Sequence, residues 1–213
     1  MITIHQYLDQ YKISEASEKL ILGTIHPHDH KCFLLPFFYG NKLSLWRILN
    51  EAFPDELIDP LSLNEILNFL NRRKIAVSDT IRECKRQRNT AFDKDIIPTV
   101  LNFDLIPAIK KSSIKEILFT SGFQKNNAFK LFYVDILKQK ITKNIKENRA
   151  VTLDSEFFGR RVKLSILYSP SGAANTGISK SKTFIANKEK YKGLNTPVKA
   201  FKIDYYKEIF SKF

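Results

Sequence analysis

Apolar residues in this chain follow two rhythms. Lys19 to Thr24 is an apolar run of strand length, Lys74 to Ser78 and Ile114 to Ser121 read as two more strands, and Arg161 to Tyr168 alternates into a fourth. Between these runs, apolar residues recur at helical spacing. Leu45, Ile48, Leu49 and Ala52 mark one helical face. Leu63, Ile66, Leu67 and Leu70 mark the next, behind the capping box Ser62-x-x-Glu65 and with Arg72, Arg73 and Lys74 in the last turn. Further helices are predicted near Leu101 to Lys111, over Asn126 to Lys138 through Phe129, Phe132, Tyr133 and Ile136, and from Thr196-Pro197 with Val198, Phe201, Tyr205 and Ile209 on one face. Thr3-x-x-Gln6 predicts the cap of a short first helix. Arg82 to Asn89 reads as a polar, basic loop, and the charged stretch Lys138 to Arg149 as an extension or frayed end of the helix before it.

Short strands separated by helical segments imply parallel pairing through right-handed crossovers. The predicted fold is α/β, a three-layer α/β/α sandwich around a central, mainly parallel four-stranded sheet, with residues 1–213 forming a single domain. Strands of such a sheet end in turns at one carboxyl edge. Four polar ends are then gathered there: Thr24-Ile25-His26, Ser78-Asp79, Thr120-Ser121 and Ser169-Pro170-Ser171. Any one of these is an ordinary strand terminus, whereas four together make a candidate site.

Charge changes the picture most. The chain carries a formal net charge of +13, with a pI near 9.6, which attracts a polyanion, so nucleic acid is the expected partner. The same surplus also suits a solvated surface rich in Lys and Asn. No apolar run approaches the length of a membrane span and the polar start Met1-Ile-Thr-Ile-His-Gln6 lacks the regions of a signal peptide, so a cytoplasmic, membrane-free protein is expected. Cys32 and Cys84 match no metal spacing and are read as reduced packing residues. His26, His28 and His30 with Asp29 raise a metal reading. Alternate positions of one turn converge poorly on a tetrahedral ion, so no metal is assigned, and a phosphate contact for His28 or His30 is the better reading.

Five segments in order carry a resemblance: Leu22-Gly-Thr-Ile-His-Pro27; Phe37-Phe-Tyr-Gly-Asn-Lys-Leu-Ser-Leu-Trp-Arg-Ile-Leu49; Ile75-Ala-Val-Ser-Asp-Thr-Ile-Arg-Glu-Cys84; Ile114-Lys-Glu-Ile-Leu-Phe-Thr-Ser-Gly122; and Leu167-Tyr-Ser-Pro-Ser-Gly-Ala-Ala-Asn175. Together they resemble the uracil-DNA glycosylase superfamily, most closely its hypoxanthine-DNA glycosylase and mismatch-specific branches. The resemblance implies a monomeric enzyme that flips a deaminated or modified base out of DNA and hydrolyses its glycosidic bond with an activated water, without metal or cofactor.

It also implies roles, position by position. Ile25 stands where most branches place a water-positioning Asn or Asp, which leaves His26, Asp79 or Asn41 as the catalytic candidates. His26 also reads as a turn histidine and Asp79 as a helix cap. Thr24, Ile25, Phe38, Tyr39 and Ser121 are the base-binding candidates, with Phe38 or Tyr39 stacking and Ser121 where relatives read the base edge with Asn. Core packing competes for the aromatics and is the reading for Trp46. Leu167 stands where some branches carry an electrophilic His. Ser169 and Ser171 would bond phosphate, Gly172, Ala173 and Asn175 would enter the minor groove, and Lys180 and Lys182 would lead a basic stretch through Lys188, Lys190 and Lys192, interleaved with Phe184 and Tyr191. The departures at Ile25 and Ser121 keep open a DNA-binding protein that has lost hydrolysis, and a hydrolase of free nucleosides stands behind both.

Overall fold

The computed structural model describes residues 1–90 and 92–211. Its first half contains β1 (Ile2–Ile4), β2 (Lys19–Gly23), α1 (Ser44–Ala52), α2 (Leu63–Arg72), β3 (Ile75–Asp79), β4 (Ile81–Arg86) and β5 (Ile96–Leu101). Then follow α3 (Leu105–Lys111), β6 (Glu116–Phe119), α4 (Ala128–Lys130) running into a π-helix at Leu131–Ile136, α5 (Lys143–Asn148), β7 (Ala150–Leu153), α6 (Ser155–Phe158), β8 (Val162–Ile166), α7 (Asn175–Ile178), α8 (Lys182–Ala186) and α9 (Pro197–Ser211).

The main sheet has five strands, in the order β3-β2-β6-β8-β7, where four were expected. Its first four are parallel; β7 pairs antiparallel with β8 at the edge. β2 and β3 are buried along their whole length, as parallel strands covered on both faces must be, and this is why they read as continuous apolar runs. Alternate residues feed two cores. Ile21, Val77 and Leu118 pack with α1, α2 and α9, while Leu20, Leu22, Ile117 and Phe119 pack with α3, α4, the π-helix and α6. β7 was missed because Ala150-Val-Thr-Leu153 is short and mostly half-exposed.

A second, three-stranded antiparallel sheet, β1-β4-β5, was not anticipated. The amino terminus is its edge strand rather than a capped helix: Ile2 and Ile4 point out, and Thr3 points in, where its hydroxyl accepts a hydrogen bond from Arg86 Nε (3.1 Å). The segment expected to be a basic loop is largely β4. Its charges at Glu83 and Lys85 lie towards solvent, and Arg86 is buried only because Thr3 and the carbonyls of His26 (2.6 Å) and Thr90 (3.0 Å) take its donors. Leu101 ends β5, so the helix expected from it starts four residues later at Leu105.

Lys138 does not extend the preceding helix. It sits at φ 59°, in the left-handed region, and α5 starts afresh with Thr142 Oγ1 accepting from the Ile145 amide (3.3 Å). On α9 the buried face is Phe201, Lys202, Tyr206 and Phe210, rotated about one residue from the expected stripe. Cys84 is buried, as a packing residue should be, but Cys32 is exposed. Among the described residues, no helix is long and apolar enough to cross a membrane.

Candidate active site at the carboxyl edge of the sheet

Strands β2, β3 and β6 stop side by side, because the register pairs Leu22 with Ser78 and with Phe119. Gly23 and Asp79 then lie next to each other, with Thr120 on the other side. A β-carbon on Gly23 would overlap both Asp79 Oδ1 and the Tyr39 hydroxyl, so the absence of a side chain there is what lets those two groups approach the strand end. Thr80 pins the turn from below: its amide and hydroxyl both donate to the Gly23 carbonyl (3.0 and 3.1 Å).

Asp79 is buried, and its second oxygen meets His5, a partner that sequence reading did not find. His5 Nδ1 accepts the Tyr7 amide N–H (3.1 Å), so the ring proton sits on Nε2 and is donated to Asp79 Oδ2 (2.8 Å). Burial pushes the Asp79 carboxyl up, and the hydrogen bond from His5 pulls it back. One oxygen is thus committed to His5, and the other faces Gly23 and Tyr39.

Tyr39 and Phe38 part company at this edge. Phe38 is core, packed with His5, Tyr7, Tyr11 and Phe37, and it accepts the Trp46 Nε1 hydrogen bond on its carbonyl (2.8 Å). That packing withdraws it from the stacking role. Trp46 is core as well. Tyr39 stands at φ 58°, and this left-handed turn carries its ring to the strand ends, where its hydroxyl bonds Thr120 Oγ1 (2.9 Å). Burial, reinforced by the charges of Asp79 and Asp93, holds its phenol well above its usual range.

His26 is placed differently from its catalytic reading. Its Nδ1–H donates to the Pro27 carbonyl (2.6 Å) and its Nε2 accepts the Gln6 amide (3.0 Å), so both nitrogens serve the backbone. Burial pulls its pKa down to about 4. A ring so engaged ties the β2 turn to the amino-terminal strand. Ile25 is buried with Ile81, Cys84, Ile96 and Leu131, which removes it from base contact. Thr24 donates to Asp93 Oδ1 (2.9 Å), and Asn127 Nδ2 donates to Asp93 Oδ2 (2.8 Å). Asp93 comes from the β4–β5 connection and was also missed: Phe92-Asp93-Lys94-Asp95 has no periodicity that would single it out. Ser121 Oγ accepts the Ala128 amide (2.8 Å), capping α4. Asn41 is half-buried, two residues beyond Tyr39. Thr3 Oγ1 and His28 Nδ1 are 3.2 Å apart, and among the described residues no group of three or more His, Cys, Asp or Glu is placed to hold a metal ion.

The β8 end forms the other wall. Ser169 Oγ accepts the Ser171 amide and Ser171 Oγ accepts the Ala173 amide (both 3.3 Å), a pair of local turns that leave Gly172 and Ala173 exposed at the tip and Asn175 half-buried behind them. Leu167 is core. Buried Lys202 holds the turn from α9, donating to the Ser171 and Pro170 carbonyls (2.8 and 3.4 Å), with its pKa pulled down to about 8 by burial. Lys180 and Lys182 are exposed beyond the turn, as are Lys188, Lys190 and Lys192. Lys190 and Lys192 are paired with Asp204 and Glu189, and the interleaved Phe184 and Tyr191 are buried around Phe201, so those rings are packing residues, not stacking platforms.

No family model matches this chain, and no curated protein matches it in sequence. Among solved structures it is similar to the solution NMR structure of a putative uracil DNA glycosylase from Methanosarcina acetivorans, at 17% identity, covering 98% of this chain and 99% of that one, with a TM-score of 0.51. At that identity the likeness is one of fold.

Proposed function

We propose that this protein is a DNA glycosylase that hydrolyses the N-glycosidic bond of a deaminated or modified base, such as uracil or hypoxanthine. The observation that carries the proposal is Asp79: a buried carboxylate at the carboxyl edge of a parallel sheet, oriented by His5, with its other oxygen close against Gly23 and near the Tyr39 hydroxyl. In this reading Asp79 takes over the water-positioning role that Ile25 and the backbone-bound His26 leave empty. Tyr39 walls and stacks the flipped base, while Thr24, Thr120 and Ser121 supply hydroxyls to its edge. The Ser169–Ser171 turn and the exposed Lys180 and Lys182 take flanking phosphates, with Gly172 and Ala173 at the minor groove and Asn175 behind them. The fold likeness to a putative uracil DNA glycosylase supports this reading, as do the helices packed on both faces of the sheet, the three-layer arrangement that would go with it. The enzyme would act as a cytoplasmic monomer on DNA, with no cofactor.

A second reading, a DNA-binding protein of the same fold without hydrolysis, draws on the burial of Ile25 in a small apolar cluster. One assay separates the two. Duplex and single-stranded oligonucleotides carrying uracil, hypoxanthine, xanthine or a mismatched thymine are incubated with wild type and Asp79→Asn, then nicked with alkali. Release by the wild type that Asp79→Asn abolishes, with His26→Asn retaining it, is the expected outcome. Salt-sensitive duplex binding without release from any substrate would favour the binding protein.

A further inference from the structure

We propose that Asp93 is the general acid of this reaction, delivering a proton to the departing base while Asp79 takes one from the attacking water. The inference rests on the glycosylase reading and adds a residue to it. Three separate elements converge on the Asp93 carboxyl: Thr24 from the end of β2, Asn127 from the turn before α4, and its own loop between β4 and β5. That loop is fastened where it must be, since Asn126 Nδ2 donates to the carbonyls of Asp93 (2.9 Å) and Ile96 (2.6 Å), and Asn127 Oδ1 accepts the Gln124 amide (3.0 Å). Such cross-bracing holds the carboxyl beside Thr24, one residue from Gly23 and from the site of Asp79 and Tyr39.

The two carboxyl groups have unlike partners. Asp79 receives an N–H from a histidine whose tautomer is fixed by the Tyr7 amide, an arrangement suited to the ionised form. Asp93 has a hydroxyl and an amide, and the hydroxyl can turn to accept when Asp93 carries the proton. The charged and titratable groups acting on Asp93 are Asp79 from β3, Arg86 from β4 and Tyr39 from the turn before α1. Lys94 and Asp95 flank it in the chain, with Asp95 occupied by the Thr90 hydroxyl (2.6 Å). Burial, with a contribution from the Asp79 charge, raises Asp93 to about 6, against the pull of Thr24, Asn127 and Arg86. Two carboxyl groups with unlike hydrogen-bond partners near the same strand ends are a pairing suited to acid–base chemistry at a glycosidic bond.

The step balances without another reactant. The bond between C1′ and the base nitrogen breaks and its electrons leave with the base, which takes the Asp93 proton. Water adds its oxygen to C1′ and gives a proton to Asp79, and proton exchange with solvent restores both groups.

The test is the single-turnover rate of base release as a function of pH, up to about pH 9, for wild type, Asp93→Asn and Thr24→Val, on whichever duplex the wild type cleaves. A falling alkaline limb is expected in the wild type. Asp93→Asn should be slower by about 100-fold and lack that limb. Thr24→Val removes a hydrogen bond that favours the carboxylate, so its limb should move to higher pH. Persistence of the limb in Asp93→Asn, or an unmoved limb in Thr24→Val, overturns the assignment while leaving the glycosylase reading intact. No release by the wild type overturns both. Should Asp93→Asn melt early, Thr24→Val alone decides.

Discussion

Lys202 offers a quantitative check of the β8 wall, because it is a buried ammonium held by two backbone carbonyls. It is 2% exposed and donates to the Ser171 and Pro170 carbonyls. Burial lowers its pKa to about 8 from 10.5, and at 1.36 kcal/mol per pH unit the gap corresponds to a burial penalty of about 3 kcal/mol. The sign follows from proton binding. Below about pH 8 both the folded and unfolded chains hold the proton and the penalty is fully present. Between about 8 and 10.5 the unfolded chain still holds a proton that the folded one has released, so stability rises with pH, and above 10.5 the gain is complete. Lys202→Met keeps the unbranched stem and removes the titration. Urea unfolding of both proteins at a series of pH values isolates the effect, since other alkaline titrations, such as the buried tyrosines, cancel in the difference. The wild type should gain about 1 to 3 kcal/mol on the variant across this window, the lower figure applying if the two carbonyls hold the charge more firmly than burial alone implies. A stability difference that stays flat from neutral pH to pH 10.5 would refute a buried, desolvated Lys202 and with it the account of what holds the Ser169–Ser171 turn.

Two other outcomes are expected. Gly23→Ala places a methyl group against Asp79 Oδ1 and the Tyr39 hydroxyl; it should cost about 1 to 3 kcal/mol in urea unfolding and eliminate base release, and a variant of wild-type stability and activity would contradict the described packing. Exposed Lys180 and Lys182 are assigned to phosphate, so replacing each with Gln should reduce the slope of log K against log salt for duplex binding by about 1, measured by fluorescence anisotropy. An unchanged slope would return them to plain solvated surface.

Much of the central sheet was legible from residue pattern, and so was the meeting of its polar strand ends at one edge. Lys19–Gly23 and Ile75–Asp79 are buried on both faces, which forces a continuous apolar run, and such runs in series with amphipathic helices have few arrangements other than parallel pairing. The small sheet was not legible. Ile2–Ile4 and Ile81–Arg86 turn isoleucines and charges to solvent and bury Thr3 and Arg86, the reverse of the usual pattern, because Arg86 brings its own partners with it. Nor could the choice between Phe38 and Tyr39 be made from composition, since both are aromatic neighbours. A left-handed backbone at Tyr39 sends one ring into the core and the other to the strand ends.

The sequence by itself determined an α/β protein whose polar strand ends meet at one edge, because burial periodicity is written locally. Tertiary structure alone decided which side chains work there. His5 reaches Asp79 across 74 residues, Asp93 reaches Thr24 across 69, and Lys202 reaches the Ser171 turn across 31. A polar group in the interior needs a partner to satisfy it, and where that partner is distant in sequence the pairing leaves no period in the chain.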